Sequence, residues 1–289
     1  MTQRTTAGGP SGARPQLRQA EIFAGLHRPG DPLLLPNAWD AASAVTIAGA
    51  GAKAIATTSA GVAWSLGVQD AADLGADRAA AVIERIATAV GVPVSADIEA
   101  GYGLGPEAVT GTVTAVVRAG AVGVNLEDRS GLAEAPLLLP AEQADRLAAA
   151  RAAADRLGVP VWINARTDVF LAGDLLAGRR LDAALERAEA YAAAGADSLF
   201  VPGLVDLAAI AELAAGPLPV TVMVWPGAPS VAELASARVA RISLGSAIAQ
   251  AAYAVAARAT AELLASGTYS SSAGGIPYDE MNAVLRAVR

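Results

Sequence analysis

The repeating unit of this chain is seen in the segment Ala119-Gly120-Ala121-Val122-Gly123-Val124-Asn125-Leu126-Glu127-Asp128. It begins with a glycine that ends a helix, continues as a short apolar strand and finishes on acidic residues. The Ala-Gly-Ala junction recurs at 50–52 and 194–196, each time immediately before another apolar run. The recurrence predicts a strand–helix unit that repeats along the chain.

Apolar runs rich in valine and isoleucine alternate with segments of helical period over most of the sequence. Such alternation is typical of a parallel sheet, and eight strands are the number that closes a barrel. An open doubly wound sheet is the alternative, but its glycine-rich fingerprint is absent after the first strand, at 36–40. We therefore predict an α/β fold, a (β/α)8 TIM barrel. The predicted strands lie near 33–36, 53–57, 92–96, 122–126, 160–164, 197–201, 219–223 and 239–242, and the helices near 40–49, 77–90, 106–119, 141–157, 181–194, 206–214, 230–236 and 246–266.

The two ends of the chain differ in composition from the barrel. Residues 1–16 are rich in glycine, threonine, proline and arginine without periodicity, which predicts a disordered tail. Residues 17–266 form the predicted barrel domain, and 267–289 a flexible connection followed by an extra C-terminal helix. Length allows this arrangement, because a single α/β barrel commonly takes about 250 residues.

Composition excludes several classes of protein. Hydrophobic residues make up 54% and charged residues 17% of the chain, which excludes intrinsic disorder. No run of about 18 strongly apolar residues is present, so we expect no membrane span. The net charge of −7 argues against nucleic acid as a partner. With no cysteine and no apolar leader segment, we expect a cytoplasmic protein without disulfides.

Only one histidine and one lysine are available for chemistry. His27 lies in a polar turn before the first strand, and we interpret it as a surface residue rather than a catalytic one. Lys53 opens a strand, on the barrel face opposite the expected active site, which disfavours Schiff-base chemistry. Catalysis must therefore depend on carboxylates, hydroxyls, arginines, backbone amides and a bound metal.

Acidic residues follow consecutive predicted strands, where barrel enzymes place their active sites. Asp97 and Glu99 are two residues apart and point the same way on an extended chain, and Glu127 ends the next strand. Three convergent oxygen donors suit Mg²⁺, with Mn²⁺ as an alternative. The structural alternative is that these acids cap helices or form ion pairs with Arg129 and Arg166.

Anion-binding groups are predicted at two other strand ends. The small residues of 57–61 leave backbone amides free to bind an anion, and Arg166 adds a guanidinium fork for a carboxylate or phosphonate. Gly245-Ser246 could hold a phosphate at a helix start, although a simple cap is favoured there.

Five segments together resemble the isocitrate lyase / phosphoenolpyruvate mutase superfamily, over roughly residues 20–265. The resemblance implies a barrel that carries Mg²⁺, exchanges its last helix between subunits of a dimer or tetramer, and acts on 2-oxo acids or compounds that release them. It implies that Asp97, Glu99 and Glu127 surround the metal, with Asp70 acting through water, that Ser59, Ala60 and Gly61 bind the substrate carboxylate, and that Arg166 anchors the substrate. The segments are Thr57–Gly61, Leu66–Asp70, Asp97–Gly103, Asn125–Asp128 and Asn164–Asp168.

Two departures from the superfamily pattern bear on the reaction. The Lys-Lys-Cys-Gly-His loop of the lyases is replaced by Arg129–Glu134, and the histidine of the mutases by Pro202-Gly203. We expect a Mg²⁺-dependent lyase that cleaves a C–C or P–C bond beside a 2-oxo acid through an enolate, with catalytic roles for Arg166, Glu127 and Tyr102, the last or a water being the proton donor. The alternatives are a phosphonomutase, a catalytically silent metabolite-binding barrel and a metal-free phosphate-binding isomerase.

Two further expectations concern surfaces. The helix at 246–266 is apolar over too much of its surface for a solvated helix, which predicts a homodimer or homotetramer. The loop 128–140 follows Glu127 and contains leucines that are costly to leave in water, so we expect 129–135 to close over the substrate.

Overall fold

A computed structural model of the protein describes residues 13–286, apart from 73, 104, 133 and 177. Its strands are β1 (Leu33–Leu35), β2 (Asn37–Ala38), β3 (Ile55–Thr57), β4 (Val94–Asp97), β5 (Gly123–Glu127), β6 (Trp162–Arg166), β7 (Ser198–Phe200), β8 (Val220–Met223) and β9 (Arg241–Ser243). Its helices are α1 (Ala13–Leu26), α2 (Ala41–Gly49), α3 (Ser59–Ser65), α4 (Ala76–Ala89), α5 (Gly105–Arg118), α6 (Pro140–Leu157), α7 (Arg180–Ala193), α8 (Leu207–Ala214), α9 (Val231–Ser236), α10 (Ala247–Ser266) and α11 (Tyr278–Arg286).

The strands form one parallel sheet that returns to its starting point. The strand order is β1-β9-β8-β7-β6-β5-β4-β3-β2, and β1 and β2 are separated only by Pro36. Proline has no N–H to donate, and it interrupts what is otherwise the first barrel strand. Its carbonyl still accepts a hydrogen bond from the Ala56 amide. The predicted (β/α)8 barrel is therefore confirmed, with its first strand in two pieces.

Most predicted elements lie within a few residues of the observed ones. The strand predicted near 160–164 lies at Trp162–Arg166, because Pro160 cannot donate to the ladder. Gly158 ends α6 in the left-handed conformation, with φ of 68°, as the sequence predicted for a helix stop. The short helix α3 follows β3 where a loop was predicted.

Helix α1 covers the end of the barrel at which the strands begin. Phe23 is fully buried and packs against Gly123, where an added Cβ would lie 2.6 Å from the ring. Gln16 donates from Nε2 to the carbonyls of Val117 (2.7 Å) and Ala121 (3.1 Å). This helix was not predicted, and its first residues fall within the tail assigned to 1–16; residues 1–12 lie outside the described part.

His27 is buried beneath the barrel, so the prediction of a surface histidine is wrong. Its ring stacks on Trp162 with centroids 4.0 Å apart, and its Nδ1 lies 2.8 Å from the Phe23 carbonyl oxygen. Burial and the nearby charge of Arg241 lower the pKa of His27 to about 3, although the contact with Phe23 raises it. His27 directly follows α1, and this helix places the histidine against the barrel rather than at the surface.

A buried polar cluster ties β5 and β6 to helix α7. Asp128 accepts hydrogen bonds from Arg187 Nε (3.0 Å), the Tyr191 hydroxyl (2.9 Å) and the Asp168 amide (2.9 Å). These partners satisfy a carboxylate that burial would otherwise leave unpaired. The cluster holds the chain in position just after the end of β5.

The C-terminal segment lies outside the barrel. Helix α10 is exposed along most of its length, and Ala249 is its buried residue. Glu262, in the last turns of α10, accepts hydrogen bonds from Thr268 Oγ1 (2.7 Å) and from the Ser270 amide (2.8 Å). The predicted connection after α10 therefore includes an ordered turn. Helix α11 then contacts α2. Among the described residues, no helix combines the length and the apolarity needed to cross a membrane.

Candidate active site

A cavity of about 220 Å³ opens where the barrel strands end. Its wall includes residues from most of the strands, because the inward side chains of parallel strands converge at this end. Five predicted site residues line it: Ser59, Ala60, Asp70, Asp97 and Arg166. The strand ends of the barrel therefore form the candidate site.

Asp97 is the most tightly held carboxylate of the cavity wall. It ends β4, and its own amide donates to Thr57 Oγ1 at 2.8 Å. One carboxylate oxygen accepts from the Ser59 amide (3.1 Å), and the other accepts from Asn125 Nδ2 (3.0 Å). The Ser59 amide, predicted to bind a substrate carboxylate, thus contacts Asp97 in this structure.

Arg166 lies between two carboxylates at the end of β6. Its Nη1 is 2.9 Å from Glu127 Oε2, and its Nε and Nη2 lie 2.6 and 3.0 Å from the two oxygens of Asp168. The pairing with Glu127 follows from the register, which places the two residues side by side on β5 and β6. Arg166 is therefore fixed in position by both acids. For Glu127, this is the ion pair with Arg166 that we gave as the structural alternative to metal binding.

The pKa values of Glu127 and Arg166 are both raised in this ion pair, for different reasons. Burial, together with the charges of Asp168 and Asp97, raises the pKa of Glu127 to about 8, although Arg166 opposes this rise. Burial alone would lower the pKa of Arg166, but Glu127 and Asp168 outweigh it and raise that pKa above its ordinary value. Arg166 consequently stays charged, and Glu127 can exchange a proton near neutral pH.

Glu99 and Tyr102 lie in a tight loop after β4. Both adopt positive φ angles of 49°, with Gly101 between them at 87°. A Cβ at Gly101 would lie 2.9 Å from Val109 Cγ2, so the close approach to α5 also requires glycine. Burial, followed by the carboxylates of Glu99 and Asp97, raises the pKa of Tyr102 far above its ordinary value. The phenol therefore keeps its proton.

The remaining predicted residues are placed differently. Glu99, Tyr102 and Glu127 are not among the residues that line the cavity. The charge of Asp97 acts on Tyr102 and Glu127, and the Glu99 amide donates to Asp97 Oδ1 at 3.4 Å. Gly61 lies within α3 and is buried against its neighbours; an added Cβ would meet Trp39 Cβ at 2.8 Å. Gly61 thus lets α3 approach the barrel and does not face the cavity.

A hard divalent cation fits the donor chemistry of this wall. Asp70 and Asp97 supply carboxylate oxygens to the cavity, and Mg²⁺ typically binds through one or two carboxylates while keeping several waters. The structure does not bring Asp97, Glu99 and Glu127 into one direct cluster. Within the described residues, no three acidic or histidine side chains lie close enough to hold a single ion.

Sequence reasoning missed Arg241 and the polar residues of the barrel interior. Asn164 Nδ2 donates to Asn125 Oδ1 (2.9 Å), which orients the amide that contacts Asp97. Arg241 begins β9 and lines the same cavity. The available signal was a charged residue inside the apolar run 239–242, which a barrel strand rarely contains without a function.

The loop after β5 forms a short hairpin. Arg129 and Leu137 make an antiparallel bridge, and the Leu138 amide donates to the Asp128 carbonyl at 2.8 Å. Arg187 Nη2 donates to the Leu138 carbonyl at 3.0 Å. The base of the loop is therefore fixed, while Leu132 toward its tip is 62% exposed.

Comparisons with known proteins find relatives over most of the chain. The family profile of phosphoenolpyruvate phosphomutase matches residues 23–264. The 2-methylisocitrate lyase of Escherichia coli K12 is 33% identical over 207 residues, which cover 65% of this chain and 67% of the lyase. A protein of Mycobacterium tuberculosis H37Rv without an assigned activity is 38% identical over 227 residues, covering 78% of this chain and 81% of the relative.

Solved structures show the same fold. A protein of Burkholderia cenocepacia J2315, provisionally assigned as a phosphonomutase, is 47% identical and superposes with a TM-score of 0.79, covering 88% of this chain and all of the other. Oxaloacetate acetylhydrolase in complex with the inhibitor 3,3-difluorooxalacetate is 25% identical, with a TM-score of 0.81 and 93% of each chain covered. With a profile match over most of its length, the chain belongs to the phosphoenolpyruvate phosphomutase family, within the isocitrate lyase / phosphoenolpyruvate mutase superfamily.

Proposed function

We propose that the protein is a Mg²⁺-dependent lyase that cleaves a C–C or P–C bond next to a 2-oxo acid. The observation that carries this proposal is that Asp97 and Arg166 line the same cavity at the strand ends. An oxo acid needs a cation on one side and a fixed guanidinium on the other to stabilise the enolate that forms when the bond breaks. The relatives named above, a 2-methylisocitrate lyase and an oxaloacetate acetylhydrolase, support it.

Each chain residue has a defined task in this proposal. Mg²⁺, when bound beside Asp97, supplies the positive charge that favours the developing enolate. Arg166 contacts the substrate through the guanidinium hydrogens that remain after it has bonded Glu127 and Asp168, whose carboxylates hold it rigid. Asn125 keeps the Asp97 carboxylate oriented. A pre-oriented site of this kind lowers the barrier because little reorganisation accompanies the reaction.

The enolate must then receive a proton, and in the P–C case water must accept the phosphoryl group, which leaves as phosphate. Tyr102 keeps its proton at every physiological pH and lies near Asp97 and Glu99, so it or a bound water can supply one. Glu127, with a pKa of about 8, can return a proton to the site. Decarboxylation requires the fewest protein proton donors, which suits a chain with Arg129–Glu134 in place of the lyase cysteine loop.

Purified protein with Mg²⁺ should be incubated with oxaloacetate, substituted malates and phosphonopyruvate, and pyruvate or oxo-acid release followed. We expect release from at least one of them, because each gives an enolate on cleavage. The phosphonate is included because the relative from Burkholderia cenocepacia favours a P–C bond as the second candidate.

Asp97→Asn should reduce turnover by about a thousandfold or more, since it removes the charged oxygen that faces the cation. Asp155→Asn, a change of the same type on the exposed face of α6, is the matched control and should leave turnover unchanged. Equal activity of the two variants would contradict the proposed role of Asp97. A metabolite-binding barrel without catalytic activity, by contrast, would bind oxalate with Mg²⁺ but release no product from any compound in the screen.

A further inference from the structure

Arg241 is a buried guanidinium that faces the candidate site without a partner. It is 3% exposed and lines the same cavity as Asp97 and Arg166. Its Nε and Nη1 are fully enclosed and, among the described residues, neither donates a hydrogen bond. Three of the five N–H donors of this guanidinium, one on Nε and two on Nη1, are therefore left without an acceptor in the described residues, next to a polar cavity.

The other enclosed arginines of the barrel each have an acceptor: two are in ion pairs, and Arg146 donates to the carbonyl of Ala100 while its Nε is left without a partner in the described residues. Arg166 is paired with Glu127 and Asp168, and Arg187 with Asp128. Arg241 makes no ion pair of this kind in the described part of the chain, although Asp97 attracts it from a distance. Because an uncompensated buried charge is costly, such a residue is retained where a ligand supplies the missing charge.

Arg241 carries its charge at neutral pH despite its burial. Burial lowers the pKa of Arg241 to about 10, and the attraction of Asp97 opposes that effect. The residue therefore adds a full positive charge to the cavity wall. An apolar group or a neutral oxygen could not compensate it.

Ser95 places a second buried polar group without a hydrogen-bond partner on the same cavity wall. Its hydroxyl is buried without a hydrogen-bond partner in the described residues, and it lines the cavity two positions before Asp97 on β4. By contrast, the Asn164 oxygen already accepts from Ser198 (2.7 Å) and Thr221 (3.0 Å). Among the described residues of the cavity wall, the buried side-chain groups without a hydrogen-bond partner are therefore those of Arg241 and Ser95.

We propose that Arg241, assisted by Ser95, binds a second anionic group of the substrate, distinct from the oxo-acid end at Asp97 and Arg166. The inference rests on the proposed function and narrows it. The substrates are 2-oxo acids with a distal carboxylate or phosphonate, whereas monocarboxylates such as pyruvate lack the group that Arg241 requires. Arg241 would thereby determine specificity.

Binding measured by calorimetry on the Mg²⁺-loaded full chain tests this directly. The probes are oxalate, which has no distal group, 3,3-difluorooxaloacetate with a distal carboxylate, and sulfopyruvate, a non-cleavable analogue of phosphonopyruvate. Arg241→Gln should weaken binding of one or both longer probes by about 10- to 100-fold, the effect of a lost charge-assisted hydrogen bond. Oxalate affinity should change by less than about threefold. The probe that loses more identifies the distal group as carboxylate or phosphonate.

Two variants separate ligand binding from a structural role. Arg241→Met removes an uncompensated charge, so its Tm without ligand should equal or exceed that of the wild type; a marked fall in Tm would mean that Arg241 is structural. Arg118→Gln, an exposed arginine at the end of α5, is the matched control and should bind all probes normally.

The outcomes distinguish this inference from the function on which it rests. If the wild type binds oxalate with Mg²⁺ and Arg241→Gln affects all three probes equally or not at all, the assignment of Arg241 is overturned and the proposed function stands. If the wild type binds none of the probes, the proposed function fails and the assignment fails with it.

Discussion

At the scale of single residues, His27 makes the stability of the fold depend on pH, and its effect is separable because it is the chain's one histidine. Burial and Arg241 depress its pKa from 6.5 to about 3, so the folded protein holds it neutral while the unfolded chain protonates it below pH 6.5. The unfolded state therefore binds more protons in this window, and stability is complete above pH 6.5 and falls as the pH drops toward 3.

We expect His27→Phe, which keeps an aromatic ring against Trp162, to reduce this acid sensitivity. Between pH 6.5 and 4.5 the wild type should lose about 2 to 3 kcal/mol more free energy of unfolding than the variant, at 1.36 kcal/mol per pKa unit. Urea unfolding at several pH values measures it. The lost contact with the Phe23 carbonyl lowers the variant's stability equally at each pH, so the slope is the readout. Identical slopes would show that His27 is not held neutral.

At the scale of elements, the hairpin after β5 is expected to order over the substrate. Its base is fixed by the Leu138–Asp128 hydrogen bond and by Arg187, whereas Leu132 is exposed. Hydrogen exchange with Mg²⁺ and oxalate, compared with Mg²⁺ alone, should show new protection within 129–135 and little change at 138. Unchanged protection of 129–135, with oxalate binding shown independently, would mean that this loop is not a lid.

At the scale of the whole molecule, α10 leaves an apolar surface that a second subunit would cover. Leu264 is 82% exposed and Leu263 55%, and Tyr253 and Val255 are also exposed. We propose a homodimer or homotetramer formed through this helix, because such an apolar surface is costly in water. Whether the helix is exchanged between subunits is part of the same proposal.

Sedimentation at micromolar concentration should show a dimer or tetramer. Leu264→Glu, which places a charge in the proposed interface, should shift the distribution toward monomer. Arg118→Glu, on an exposed part of α5, is the control and should not. A wild-type monomer at this concentration would refute the proposal.

Across these scales, the sequence by itself determined the barrel and the end of it that carries the site. Glycine stops such as Gly158 and the alternation of apolar and helical segments are local signals, and strands in repeated strand–helix units must lie parallel. Strand-end acids such as Asp97 and the arginine at 166 were identifiable for the same reason, since their position follows from the strand that precedes them.

Only the tertiary structure decided how the charges are partnered. Glu127 is paired with Arg166, His27 is turned beneath the barrel by α1, and Arg241 is left without a partner among the described residues. Each outcome depends on neighbours distant in sequence, because pairing and burial are set by which side chains meet inside the closed barrel. The local sequence does not indicate these contacts, because an arginine is the same residue in the sequence whether its side chain faces a carboxylate or a cavity in the fold.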